Sequence, residues 1–85
     1  MTALPVVELF GRPGCHLCDD ARAVLLALRE RIPFELRERD IEADDALHRA
    51  MLERIPVIAL DGEELFEHFV DEAELARRLG IVQRR

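Results

Sequence analysis

Apolar and polar positions along the chain switch between a period of two and a period of about 3.6, and the switches outline seven elements. Val6 to Phe10 is a short, mostly apolar run with β-branched and aromatic members, closed by Gly11 and Pro13, and reads as a buried strand. Leu17, Ala21, Val24, Leu25, Leu28 and Ile32 then recur at helical spacing, with Asp19 and Asp20 in the first turn and Pro33 as the stop. Phe34 to Ile41 alternates apolar and charged positions, as expected of a strand with one wetter face or an edge position. Asp44 or Asp45 can cap a shorter helix whose inner stripe is Leu47, Ala50 and Met51.

Val57 to Leu60 is a continuous apolar run opened by Pro56, and Asp61-Gly62 is a two-residue hairpin signal that returns Glu63 to Phe66 as an antiparallel strand. Asp71-Glu72-Ala73-Glu74 announces the last helix, which is expected to bury Leu75 and Leu79 and to end at Gly80. The order β-α-β-α-β-β-α makes this an α/β chain. Strands 1 and 2, joined by a helix, should be parallel with a right-handed crossover, while the hairpin adds an antiparallel pair. The expected architecture is a four-stranded mixed sheet flanked by three helices, in a single domain over residues 1–85.

Composition narrows the function classes. The chain has 85 residues, 49% of them apolar, which suffices for one core and excludes a second domain. A net charge of -6 with no basic stripe argues against nucleic acid as a partner. No stretch approaches the roughly 20 apolar residues of a membrane span. Met1 to Pro5 has neither a charged start nor an apolar leader region, so a soluble, cytoplasmic protein is expected. Lysine is absent against twelve Lys+Arg in all, so arginine carries every basic position, and no single arginine is functional by rarity.

The chemistry is concentrated in Phe10-Gly11-Arg12-Pro13-Gly14-Cys15-His16-Leu17-Cys18, which holds both of the cysteines. Side chains three apart on a helix turn share a face, so this pair can open and close a disulfide reversibly. Cys15 lies nearest the positive helix N-terminus, which favours its thiolate and marks it as the attacking sulfur, with Cys18 as the resolving one. In a reducing compartment such a pair points to redox or metal chemistry before a fixed staple. For zinc the chain adds only His16, His48, His68 and carboxylates, with no second C-x-x-C, and an iron–sulfur cluster shared between two chains is a further option. His16 either stabilises the Cys15 thiolate as a neighbouring cation or points to solvent. Glu8, inside the first strand, is either a proton partner for Cys18 or the mate of an arginine; His48 and His68 read as surface residues.

The C-x-x-C after the first strand, the βαβ start and Ile55-Pro56 opening the third strand together resemble the thioredoxin fold in its smallest form, the glutaredoxin family. The similarity spans essentially the whole chain, and it is narrowest to short bacterial glutaredoxin-like proteins whose site reads C-x-L-C. The resemblance implies a thiol–disulfide oxidoreductase with a part in cellular redox homeostasis, with Cys15 and Cys18 as the catalytic pair. It implies a cis Ile55-Pro56 bond beside Cys15, leaving the Ile55 backbone unpaired to dock an extended substrate, with Val57 continuing that strand. Arg12 stands where the family carries a basic residue and would hold the thiolate or a substrate carboxylate.

Two departures bear on mechanism. His16 and Leu17 replace the Pro and Tyr usual between the cysteines, so the dipeptide that tunes redox poise differs. Phe66, Glu67 and Phe69 fall where glutathione-binding members carry a Gly-Gly and an acid. The expected activity needs no bound cofactor and no metal; its partners are disulfide-containing proteins or small molecules, and glutathione or a flavin-dependent reductase returns the electrons. A monomer is expected. The alternatives are a zinc or iron–sulfur module using the same cysteines, and a non-catalytic interaction domain on the same fold.

Overall fold

A computed structural model of the chain describes residues 3–83. The elements are β1 (Val6–Gly11), α1 (His16–Arg31), β2 (Glu35–Asp40), α2 (Asp45–Met51), β3 (Val57–Leu60), β4 (Glu63–Glu67) and α3 (Glu72–Gln83), with a 3-10 turn over Ile41–Ala43 between β2 and α2. They form a four-stranded sheet in the order β2-β1-β3-β4. β1 runs parallel to β2, with Val6 opposite Glu35 and Gly11 opposite Asp40, and antiparallel to β3, while β3 and β4 form an antiparallel hairpin. This is the mixed sheet with three helices expected from the sequence, in the thioredoxin-like arrangement.

Burial follows the period of each strand. β1 alternates, with Val7, Leu9 and Gly11 buried and Val6, Glu8 and Phe10 half-buried. β3, flanked on both sides by other strands, is buried at all four positions. One face of the sheet offers Val7, Leu9, Ile58 and Leu60, and onto it pack Ala21, Leu25 and Leu28 of α1, Leu75 and Leu79 of α3, and Phe34. Phe10 and Val57, alternating with those residues, join a second cluster with Ile41, Leu47, Met51 and Ile55, and this cluster also takes in both cysteines. The dithiol therefore sits where the end of β1, the start of β3 and the first turn of α1 meet.

The hairpin turn at Asp61-Gly62 has φ of 49° and 89°, the pair of positive angles that suits the twist of two antiparallel strands. Asp61 also ties the hairpin to the first strand: its N–H donates to the Val6 carbonyl at 2.8 Å, and its carboxylate accepts from the Val6 N–H at 2.9 Å. Asp44 caps α2 by accepting from the Ala46 and Leu47 amides, and Asp71 accepts from the Glu74 amide at 3.1 Å at the start of α3.

Five expectations are corrected. α3 does not end at Gly80 but runs on to Gln83; glycine weakens a helix interior without breaking it, and nothing forces this one into the left-handed region. The buried stripe of α1 runs through Cys18, Ala21, Leu25 and Leu28, so Leu17, about 100° round the helix from Cys18, is exposed, and Ala50 of α2 is exposed as well. β2 is shorter than the Phe34 to Ile41 run: both ends are buried, but Phe34 precedes the strand and Ile41 opens the 3-10 turn. β4 reaches one residue past Phe66, to Glu67. Among the described residues no helix is long and apolar enough to cross a membrane.

Candidate active site

β1 ends at the buried Gly11, and the exposed residues 12–14 carry the chain round to Cys15 and α1. Gly14 makes that turn with φ of 78°, a conformation that a side chain would strain. Cys15 is then the N-cap of α1, with extended backbone, and its Sγ accepts a hydrogen bond from the Cys18 amide at 3.2 Å. A cap position usually taken by a serine or aspartate oxygen is here taken by sulfur, so the amide that would satisfy a capping anion is aimed at the thiol. The arrangement favours the thiolate once the disulfide is opened.

Cys15 and Cys18 are joined as a disulfide, their Cα atoms 5.2 Å apart. Their surroundings differ. Cys15 is half-buried, whereas Cys18 is 1% exposed, packed with Ile55 and Val57 on one side and Gly11 on the other. A Cβ on Gly11 would stand 2.9 Å from the Cys18 Sγ, so the glycine is what leaves room for the second sulfur. In the sequence Gly11 marks the end of a strand; the alternation that puts it on the same face as Val7 and Leu9 is the signal for its place in the interior.

The cis bond expected at Ile55-Pro56 is present. Ile55 and Val57 lie in the same apolar cluster as the two cysteines, with the buried Pro56 between them. One part of the expectation is corrected: the Ile55 amide is not unpaired, because it donates to the Met51 carbonyl at 3.1 Å as α2 ends. Of the two Ile55 backbone groups the amide is therefore already committed. The Pro56 carbonyl accepts from the His68 amide at 2.8 Å, fixing the loop after β4 beside this segment.

Charged groups ring a groove of about 240 Å³ that opens beside Cys18 and is lined by Gly11, Arg12, Asp19, Arg22, Glu38 and Asp40. Arg22 bridges it, donating to Glu38 at 2.6 Å and to Asp19 at 2.9 Å, and the Glu38 bond first, then that to Asp19, holds its guanidinium more firmly protonated. Arg12 is exposed and 3.9 Å from the Glu42 carboxylate, at the groove wall and not on the sulfurs. His16 is exposed on the first turn of α1. Glu8 is the mate of an arginine: it accepts from Arg39 at 2.9 Å. His48 is half-buried and His68 exposed, and among the described residues no three His, Cys, Asp or Glu side chains gather closely enough to hold a metal ion.

Comparison with known proteins gives a family and a fold. Residues 6–80 match the model of the Glutaredoxin-like domain (DUF836). A glutaredoxin-like protein of Dictyostelium discoideum is 29% identical over 92% of this chain and 78% of its own length, and an uncharacterised protein of Mycobacterium tuberculosis is 32% identical over 84% and 78%. Among solved structures, a Nitrosomonas europaea protein superposes with a TM-score of 0.79 at 29% identity, over 92% of this chain and 94% of its own. A thioredoxin of Halobacterium salinarum follows with a TM-score of 0.68 at 24% identity, over 93% and 74%, a likeness of fold alone.

Proposed function

We propose that this chain, which belongs to the Glutaredoxin-like domain (DUF836) family, is a thiol–disulfide oxidoreductase that reduces disulfides through Cys15 and Cys18. The observation that carries the reading is the asymmetry of the pair: an accessible sulfur capping a helix, backed by a second sulfur shut into the core within bonding reach. In the reduced protein the Cys15 thiolate attacks one sulfur of a substrate disulfide, forming a mixed disulfide and releasing the other sulfur as a thiol. Cys18, losing its proton, then attacks the Cys15 sulfur; the mixed disulfide breaks, the second substrate thiol leaves, and the Cys15–Cys18 bond takes up the two-electron oxidation. The Ile55 carbonyl and the flat Pro56–Val57 segment are the surface on which the substrate chain would lie, with Arg12 at its margin.

Glutathione is a poor fit as the electron donor. Phe66 is packed against the core, Phe69 is exposed, and Glu67, paired with Arg54 at 2.7 Å, carries a carboxylate at a position where the resemblance puts the glutamyl end. A charged end left without its hydrogen-bond partners loses about 1–3 kcal/mol per missing contact. A flavin-dependent reductase or a dedicated protein partner is therefore the expected donor. The test is steady-state reduction of a small disulfide, with glutathione plus its reductase in one arm and a thioredoxin-reductase-type flavoenzyme in the other. Turnover confined to the flavoenzyme arm supports both statements; failure to reduce any disulfide, even with a chemical dithiol as donor, overturns the activity.

A further inference from the structure

A second groove shares no lining residue with the charged one, and its walls come from two elements. α1 contributes Leu17, one of the two residues between the cysteines, together with Ala21 and Val24 one and two turns on; the loop between β4 and α3 contributes Phe69 and Val70. Leu17 is 52% exposed and Phe69 65%, so two large apolar side chains flank a concave surface that the fold leaves open. Scattered exposed apolar residues are ordinary, but two from different elements lining one groove, one of them on the turn that carries both cysteines, form a patch.

The presentation of Phe69 is built in. His68, immediately before it, has φ of 71°, a left-handed conformation uncommon for a residue with a side chain, and its amide is held on the Pro56 carbonyl at 2.8 Å. The backbone that carries Phe69 outward is thus anchored to the segment next to the cysteines. Charge completes the site. Asp20 lines the groove, and its carboxylate has no ion-pair or hydrogen-bond partner among the described residues, whereas the neighbouring Asp19 is taken by Arg22 at 2.9 Å. An open carboxylate at the edge of an apolar groove is complementary to a cation on an incoming chain.

Resting on the oxidoreductase reading, we infer that this groove selects protein substrates: an extended segment in which a large apolar side chain adjoins the disulfide cysteine, followed by a lysine or arginine. The apolar side chain sits between Leu17 and Phe69, the basic one reaches Asp20, and the cysteine is brought onto Cys15. Electrons come from the Cys15–Cys18 dithiol, so one reduced protein molecule reduces one substrate disulfide and ends as the intramolecular disulfide.

The test is single-turnover reduction by pre-reduced protein of three disulfides: a peptide with Leu-Lys beside the cysteine, the same peptide with Ser-Glu, and hydroxyethyl disulfide. The expected preference for the Leu-Lys peptide over the Ser-Glu one is roughly 10-fold or more, the size of discrimination that one apolar pocket supplies. Phe69→Ser should shrink that ratio towards unity, and Asp20→Lys should shift preference towards an acidic flank. Equal wild-type rates for the two peptides, or a ratio untouched by both substitutions, overturns the inference while the oxidoreductase reading stands. No reduction of hydroxyethyl disulfide or either peptide overturns that reading and the inference with it.

Discussion

Gly11 and Cys18 occupy one space: a Cβ added to Gly11 would come within 2.9 Å of the Cys18 sulfur and 3.1 Å of its Cβ. The last residue of the first strand is thus bare so that the second cysteine can be buried against it. Gly11→Ala should destabilise the fold by about 1–3 kcal/mol, the usual cost of overfilling a packed interior. Because the crowding falls on Cys18, it should slow closure of the intramolecular disulfide more than the first attack by Cys15. Denaturant unfolding and stopped-flow mixed-disulfide kinetics check the two halves; a neutral substitution in both would show that the space is not shared.

Gly80 predicts the opposite sign. It lies within α3, and a Cβ built there meets nothing within 4 Å. Gly80→Ala removes backbone freedom from the unfolded chain at no steric cost, and a gain of about 0.4–1 kcal/mol is expected. Equilibrium urea unfolding of the variant measures it.

The exposure of the two sulfurs predicts chemical selectivity. Cys15 is half-buried at the helix cap with an amide directed at its sulfur, and Cys18 is enclosed. Brief iodoacetamide treatment of the reduced protein near neutral pH should label mainly Cys15, as read by peptide mapping. Asp19 and Asp20 place negative charge on the same turn, so replacing both with asparagine should speed the labelling of Cys15. Preferential labelling of Cys18 would reverse the two roles.

A pH dependence follows from Glu74 in the first turn of α3. Bonds from Arg77 and then Arg78 bring its carboxyl down from 4.5 to about 2. A carboxyl whose value is lower in the folded than in the unfolded chain adds stability that is fully present above the unfolded value and disappears as pH falls through the folded one. Wild type should therefore be more stable than Glu74→Gln at pH 7, with the gap closing between about pH 4.5 and pH 2. Thermal unfolding of both proteins across that range checks the sign; a gap that widens on acidification would refute it.

The sequence made the element order legible because each local signal agreed with the fold it belongs to. Val57–Leu60 is apolar throughout and proves to be flanked by strands on both sides, and Asp61-Gly62 supplies the two positive φ angles that its hairpin needs. What was not legible depends on distances between elements. Leu17 fits the helical stripe by period, yet the stripe that is buried runs through Cys18, Ala21, Leu25 and Leu28 and leaves Leu17 on its flank. The Ile55 amide is claimed by Met51, a local helix-end bond invisible to a strand pattern. Gly11 reads as strand punctuation until the Cys18 sulfur is seen beside it, and Gly80 reads as a helix stop until the helix is seen to pass through it. At the candidate site the pair of cysteines was legible from spacing, and so was the difference in their burial, because Cys15 stands at the very start of the helix and Cys18 already lies inside its first turn.

The division of labour between Cys15 and Cys18 is tested most directly by trapping. Pre-reduced Cys18→Ser and Cys15→Ser proteins are each mixed with an excess of a peptide disulfide, quenched with acid and analysed by intact mass and peptide mapping. The Cys18→Ser protein should accumulate a stable mixed disulfide at Cys15 within the time wild type takes to complete one turnover, and the Cys15→Ser protein, whose remaining sulfur is enclosed, should form little. A mixed disulfide that accumulates at Cys18 instead, or none on either variant, would contradict the assignment of Cys15 as the attacking thiol.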